Sequence, residues 1–393
     1  MTEQSGKSRL LDLLRQSPAH QIAQMGYVDQ GVADVEPFPF LAIVGQEEMK
    51  LALVLAVVNP EVGGVLLLGP RGTAKTTAVR ALTDLLPSRR RSLCPEGCTE
   101  EMLEQGGMAA ICQDCAQKVG YGEPLTTEER VRIVNLPLNA RLEDVVGGID
   151  ERLALEQQRV RLERGVLAQA DGHILYIDEV NMLDRAIADA ILDAAAQGHY
   201  TVRRGPQKLT YRSRFLLVGS MNPEEGNLRP QLMDRFGLRP VVRGLDDPDA
   251  RFRAYERAMW YRRDPEGMAA AYADYTLALA AEIEEAQARL PDVTISDGAR
   301  EVGLALTAGM KIDSNRAEIT LFEAARAYAA ADERKTVVPT DVHAVAHIAL
   351  RFRGTGGLEA FFTTLQSEDD HLQTLLDDNL ANSEEDERQD EEE

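Results

Sequence analysis

No stretch of this 393-residue sequence is apolar enough to cross a membrane. The longest apolar run, Leu51 to Val58, falls far short of the roughly 20 residues that a span needs. The opening residues, Met1 to Gln16, also lack the continuous apolar core of a secretory signal. These two absences predict a cytoplasmic protein with no membrane attachment. Basic charge is in deficit as well: 43 Lys and Arg stand against 65 Asp and Glu, a net charge of −22. Residues 367–393 hold thirteen acids and one Arg, or −12, which leaves −10 on the rest. A chain that is acidic in body and tail lacks the electrostatic footprint of a general nucleic-acid binder. No nucleic-acid partner is expected, although Arg203, Arg204, Lys208 and Arg212 form a local basic run. No internal repeat is visible, so stacked-repeat architectures are excluded. Cysteine is scarce, four in the whole chain, which excludes a disulfide-built scaffold.

Hydrophobic residues at 44% and charged residues at 27% are globular values, and the length allows two or more domains with a sizeable core. The stretch that organises the chain runs from Gly64 to Thr77. Val65 to Leu68 reads as a buried parallel strand. A tight loop follows, Gly69-Pro70-Arg71-Gly72-Thr73-Ala74, and then Lys75-Thr76-Thr77 opens a helix expected to reach Leu86 before Pro87. Strand, glycine-bearing loop, Lys-Thr and helix is the phosphate cradle of P-loop nucleotide-binding proteins. Its backbone N–H groups and helix N-terminus attract anionic oxygens. Lys75 is expected at the β- and γ-phosphates of a bound ATP, and the Thr76 hydroxyl on its Mg²⁺. Ala74 stands where the loop pattern has its second glycine. A residue opening the helix has negative φ, so alanine is sterically acceptable there, and Gly72 is the residue expected at positive φ.

Gly172-His-Ile174-Leu-Tyr-Ile177-Asp178-Glu179 is a second buried strand, ending in two carboxylates. Paired with the loop upstream, Asp178 is expected to hold the Mg²⁺ through water and Glu179 to act as general base on the attacking water. Phe215 to Gly219 reads as another buried strand, and Asn222 just beyond it is placed to orient that water. Leu228 to Gly237 reads as a short helix with Arg229 and Arg235. Either a guanidinium there serves a neighbouring subunit's nucleotide or both are ordinary salt-bridged side chains. Pro240 to Arg243 is expected as the last strand. Upstream, Ile43-Val44-Gly45-Gln46 precedes the apolar helix Glu47–Val58. Ile43 and Val44 suit an adenine pocket, or plain core packing, or both.

Between the two anchors the chain is longer than one strand–helix–strand unit requires. All four cysteines lie there, as Cys94-x3-Cys98 and, thirteen residues later, Cys112-x2-Cys115. Four thiolates at that spacing suit a closed, structural Zn²⁺ site. An iron–sulfur cluster and free or redox-active thiols are the alternatives. Val131 to Leu138 is strand-like, Glu151 to Arg164 is a charged stretch, and His199 to Thr210 reads as a hairpin turning at Gly205-Pro206-Gln207. From Leu245 the pattern is helical and Ala-rich. Helices are expected over Pro248–Met259, Glu266–Ala288, Ser296–Ala308, Ser314–Ala330 and Thr340–Phe352. Asp313 or Ser314 would cap the fourth, which puts Arg316 in its first turn. A cation is disfavoured there by the helix dipole, so Arg316 is either a phosphate ligand or an exposed helix residue.

With these pieces in view, the chain resembles the ATPase subunit (subunit I) of magnesium chelatase, an AAA+ protein. The resemblance rests on Phe38-Pro-Phe with Ile43 to Leu53, on the phosphate loop, and on Asn135 to Ala140. It rests also on Gly172 to Asn181, Asn222 to Gly237 and Lys311 to Arg316. It implies an α/β P-loop core with a parallel sheet between helices, followed by an all-helical lid. It further implies a nucleotide bound between neighbours of a homo-oligomeric ring, commonly a hexamer. By it, Arg235 is the arginine finger, Asn222 the sensor 1 residue and Arg316 the sensor 2 residue. The implied division is an arm over 1–37, an ATPase core over 38–244, a lid over 245–353 and an acidic tail over 354–393. The core would carry the four-cysteine insert (94–115) and family insertions at 131–165 and 199–212. Members drive Mg²⁺ insertion into protoporphyrin IX with two further subunits, one with a von Willebrand-type domain and a large one that holds the porphyrin. The four-cysteine insert is foreign to the usual subunit. No porphyrin-binding signature is readable in this chain. The alternatives are a cobalt chelatase, a protein-remodelling complex with a von Willebrand-type partner, or a non-hydrolysing D-like platform.

Overall fold

A computed structural model describes residues 36–353, apart from 95–96, 149–163, 205–206, 227 and 313, together with 373 and 374. The expected arm and acidic tail, and the charged stretch from Glu151, therefore lie almost wholly outside the described residues. In chain order the strands are β1 (Gly64–Leu68), β2 (Arg89–Ser92), β3 (Thr126–Glu129), β4 (Ile133–Asn135), β5 (Ile174–Ile177) and β6 (His199–Arg204). They continue with β7 (Gln207–Arg212), β8 (Leu216–Met221), β9 (Phe236–Leu238), β10 (Thr294–Ile295) and β11 (Thr336–Val337). Five of them form one sheet in the order β4-β5-β8-β1-β9. The α/β class follows from this sheet and its accompanying helices.

The chain divides into two compact units. One comprises residues up to 85, 179–181 and 218 onward. In it β1 is buried at every residue and pairs in parallel with β8, from Val65 opposite Val218 to Leu68 opposite Met221. Such a strand has no solvent face, which is why it reads as an unbroken apolar run. The Glu47–Val58 helix packs against β1 and is buried around most of its circumference, so it shows no polar stripe. The buried Lys50 on it donates to the Ile43 carbonyl. Burial, and then the nearby Arg257, lower its pKa to about 8.

The expected last strand is corrected. Only Val241 of that segment bridges to Leu68, and the strand beside β1 is β9, which starts earlier. Arg239 explains the break. Its N–H donates to the Ile348 carbonyl instead of a sheet neighbour, and Pro240 has no N–H to offer. The Arg239 side chain is 2% exposed and donates to the carbonyls of Phe236, Met233, Arg351 and Phe352. Arg353, also buried, donates to Gly237 O, Ala349 O and Thr320 Oγ1. Two guanidiniums thus fasten the end of the last helix to β9.

Between residues 245 and 353 the described residues form the helices Pro248–Arg263, Pro265–Arg289, Asp297–Gly309, Asn315–Ala331 and Pro339–Leu350, each close to its expected span. Asp247, Asp264 and Ser296 accept backbone N–H groups at their N-termini. Ser314 precedes the fourth helix without a side-chain capping bond. Seven buried alanines on Asn315–Ala331 let neighbouring helices approach closely. Among the described residues no helix is long and apolar enough to cross a membrane.

The other unit comprises residues 86–178 and 182–217. Here β4 pairs in parallel with β5, and the hairpin β6–β7 runs in register from His199 opposite Arg212 to Arg204 opposite Gln207. Gln207 is therefore in the strand, not in the turn. An antiparallel ladder that sequence reading missed joins β2 to β3, with Arg90 opposite Glu128 and Arg91 opposite Thr127. Cross-strand charge pairing supports it, while the absence of apolar alternation hid it.

Candidate functional site

The phosphate loop is shaped by three residues. A Cβ on Gly69 would sit 2.0 Å from the Val242 carbonyl oxygen, so only glycine fits that close approach. Gly72 has φ +79° with open space around it, as expected. Ala74 departs from expectation: its φ is +65°, in the left-handed region. The reason is its place in the chain. Ala74 is the residue before the helix, not the first helical one, and the helix starts at Lys75. A non-glycine residue held there costs about 1–2 kcal/mol. The α-helix ends at Ala81 and continues as a 3₁₀ turn over Leu82–Leu85, short of the expected Leu86.

Inside the loop the Lys75 ammonium donates to the carbonyls of Gly69 (2.6 Å) and Pro70 (2.7 Å). The Thr73 hydroxyl donates to Pro70 O at 2.9 Å. Thr76 and Thr77 follow in the first helical turn. Upstream, Gly45 and Gln46 both adopt positive φ, which reverses the chain after Ile43 and Val44. Ile43 is buried and Val44 half-buried.

Arg71 makes a connection that its place in the loop did not reveal. Its guanidinium lies 2.7 Å from Glu179 Oε1 and 3.0 Å from Glu225 Oε1. Asn222 Nδ2 donates to the same Glu225 oxygen at 3.2 Å. One polar network therefore links the phosphate loop, Glu179 and Asn222, with Glu225 as a member that sequence reasoning passed over. The only signal for it was a second acid following Asn222-Pro223. Glu179 itself has φ +52°, and its N–H donates to Ser220 Oγ. A left-handed residue at a strand end is a strained position of the kind found at functional sites. Asp178 is exposed and accepts a hydrogen bond from the Tyr176 hydroxyl at 3.2 Å.

The two arginines of the Leu228–Gly237 segment flank a helix of four residues, Pro230–Met233, rather than sitting on it. Arg229 precedes that helix, and Arg235 follows it, half-buried, with its carbonyl accepting from the Gly64 N–H at 3.1 Å. Arg316 lies in the first turn of Asn315–Ala331 and pairs with the Asp234 carboxylate at 2.7 Å. Its partner here is an acid of its own chain. Arg353 stands 3.8 Å from the other Asp234 oxygen, and burial lowers its pKa to about 10.

The four cysteines come together, every Sγ within 4.8 Å of the others. Cys94, Cys98 and Cys115 are buried and Cys112 is half-buried, packed with Ile111 and Leu125. The Cys98 N–H donates to Cys94 Sγ and the Cys112 N–H to Cys98 Sγ, both at 3.2 Å. Burial raises the Cys94 thiol, but hydrogen bonds from the Ser92 hydroxyl and the Cys98 N–H outweigh it and bring the pKa to about 6. Burial pushes Cys98 up to about 11 and Cys115 higher still. No disulfide joins any of them. Four clustered sulfurs with N–H···S bonds can hold a metal ion.

A phosphate loop, a parallel sheet with a carboxylate pair at one strand end, and a helical lid define a P-loop ATPase of the AAA class. Residues 123–236 match the family model described as AAA domain (dynein-related subfamily), and residues 304–375 match that of the AAA lid domain. The chain is 43% identical over 316 residues to the magnesium-chelatase subunit ChlI homolog of Methanocaldococcus jannaschii. That alignment covers 80% of this chain and 85% of the relative. Over 326 residues it is 40% identical to magnesium-chelatase subunit ChlI of Synechocystis sp., covering 80% and 88%. A solved chain of the complex between subunits BchI and BchD of magnesium chelatase is 37% identical, covers 81% of this chain and 96% of its own, and has a TM-score of 0.45. The chain belongs to the magnesium-chelatase ChlI family.

Proposed function

We propose that this chain is the ATP-hydrolysing motor of a magnesium-chelatase-type complex, acting in Mg²⁺ insertion into protoporphyrin IX. The observation that carries the reading is the connected network from the phosphate loop through Arg71 to Glu179, Glu225 and Asn222. It supports hydrolysis over a passive platform, as does the presence of Lys75, Thr76, Asp178, Glu179 and Asn222 in one chain. The loop suits a nucleotide phosphate: Gly72 leaves its face open, and Lys75 holds its ammonium against the loop carbonyls. Mg²⁺-ATP, when bound, supplies the phosphoryl group and the metal charge that stabilises its transfer. Ile43 and Val44 would flank the adenine. The loop from Gly69 to Ala74, with Thr77 behind it, would surround the phosphates, and Lys75 would neutralise them. Thr76 and Asp178 would hold the Mg²⁺. Glu179 would take the proton of the attacking water while Asn222 orients it. Arg316 would sense nucleotide by exchanging Asp234 for phosphate, and Arg235 would serve the neighbouring site in a ring, commonly a hexamer. In this reading the chain works in the cytoplasm with a von Willebrand-type D subunit and a large porphyrin-binding subunit, the partners that the family resemblance implies. The test is reconstitution: mixed with such subunits, protoporphyrin IX, Mg²⁺ and ATP, the chain should yield fluorescent magnesium porphyrin. Product formed only when Co²⁺ replaces Mg²⁺ would overturn the metal assignment.

We assign the cysteine cluster a structural Zn²⁺. Four Zn–S bonds of about 2.3 Å place sulfurs roughly 3.8 Å apart, within reach of the observed cluster after a small contraction. Raised thiols on Cys98 and Cys115 mean that burial disfavours their thiolates, and a divalent cation reverses that preference. Elemental analysis should find about one zinc per chain, and chelation should lower the unfolding temperature. Iron with a visible charge-transfer band would replace zinc by a cluster. Four freely titrating thiols with unchanged stability in chelator would remove the metal altogether.

A further inference from the structure

A cavity of about 180 Å³ opens in the unit formed by residues 86–178 and 182–217. Four arginines from four separate segments line it: Arg91 on β2, Arg132 just before β4, Arg164 ahead of the helix Val166–Gln169, and Arg212 on β7. Asp171 is the one carboxylate among the lining residues. These cations are only partly satisfied by the protein. Arg91 reaches Glu129 Oε1 at 3.3 Å, and Arg164 donates to the Cys94 carbonyl at 3.3 Å. Arg212 Nε stands 3.9 Å from Asp171, beyond hydrogen-bond distance. The Arg132 guanidinium makes no ion pair among the described residues. The buried His173 ring accepts the Arg132 backbone N–H at Nδ1, which fixes the chain where that arginine enters the cavity wall.

Four like charges around so small a space repel one another, although the chain as a whole is strongly acidic. The repulsion is relieved by an anion. Guanidinium forks bind phosphate oxygens in pairs, and a phosphate offers three acceptors to several forks at once, where a carboxylate fills one. We propose that this cavity is a binding site for a small phosphate-bearing anion, sharing no residue with the phosphate loop of Gly69–Lys75. It is independent of the hydrolytic reading and adds a second anion site to the part of the chain that carries the cysteine cluster.

The test uses the full chain carrying Lys75→Ala, so that the phosphate loop contributes little. Isothermal titration with inorganic phosphate, pyrophosphate and glycerol 3-phosphate should show one site per chain. Arg132→Ala with Arg164→Ala should weaken it about tenfold or more while far-ultraviolet circular dichroism stays unchanged. Arg132→Lys should recover only part of that loss, since the charge returns without the fork. A preference for the ester over the free ions identifies a phosphorylated metabolite as the ligand; the reverse preference identifies the inorganic anion. Binding unaltered by the double substitution would overturn the proposal. So would a folded protein that binds none of the three, or one that takes up acidic peptide or single-stranded RNA through these arginines but no phosphate.

Discussion

Glu179→Gln should give a protein that binds ATP normally and hardly hydrolyses it. A positioned general base is worth about 10²- to 10⁴-fold in rate, and an amide cannot take the proton. The substitution is nearly isosteric. Its amide oxygen can still accept from Arg71, and the bond from the residue 179 N–H to Ser220 Oγ is untouched. Binding should therefore survive, measured with a fluorescent nucleotide, while phosphate release falls towards background. The left-handed backbone at 179 tests the reading from another side, because it belongs to the chain and persists in the variant. Wild-type turnover no higher than that of Glu179→Gln would favour the platform alternative.

The second large effect is expected at Arg235, and it separates a ring motor from a solitary ATPase. An arginine finger contributes on the order of 10³-fold or more to turnover. Arg235→Ala should be nearly inactive, yet folded. Its backbone is held by the bond from Gly64, and Asp234 keeps Arg316 and Arg353 as partners whatever stands at 235. Mixing Arg235→Ala with Glu179→Gln should restore part of the activity. At some interfaces an intact Arg235 from one chain faces an intact catalytic site of the other. Fluorescence transfer between labelled chains must show that subunits exchange. Exchange without any rescue at any ratio would sink the shared site.

Much of the architecture was legible because its signals are strong and local. Buried strands such as Val65–Leu68 have no polar face, and Pro, Asp and Ser mark the starts of the long helices after residue 245. Apart from Ala74 and Gln207, whose placement is set locally, the failures depended on a partner distant in sequence. Ala74 takes positive φ because the chain must enter the helix from the loop at that angle. β9 ends early because Arg239 gives its N–H to Ile348, more than a hundred positions away. The link from Arg71 to Glu179 spans a similar gap and leaves no mark on periodicity. Glu225 was invisible for the same reason.

The buried guanidiniums of Arg239 and Arg353 have a mechanical consequence. Both grip β9 or the residues beside it, and both are anchored in the last turns before residue 354. A pull that reaches Arg353 therefore has little slack to take up there. It must either break several hydrogen bonds of buried guanidiniums or drag on the strand whose first residue follows Arg235. Arg353 is thus joined by a short, stiff path to the side chain proposed to reach into the next subunit.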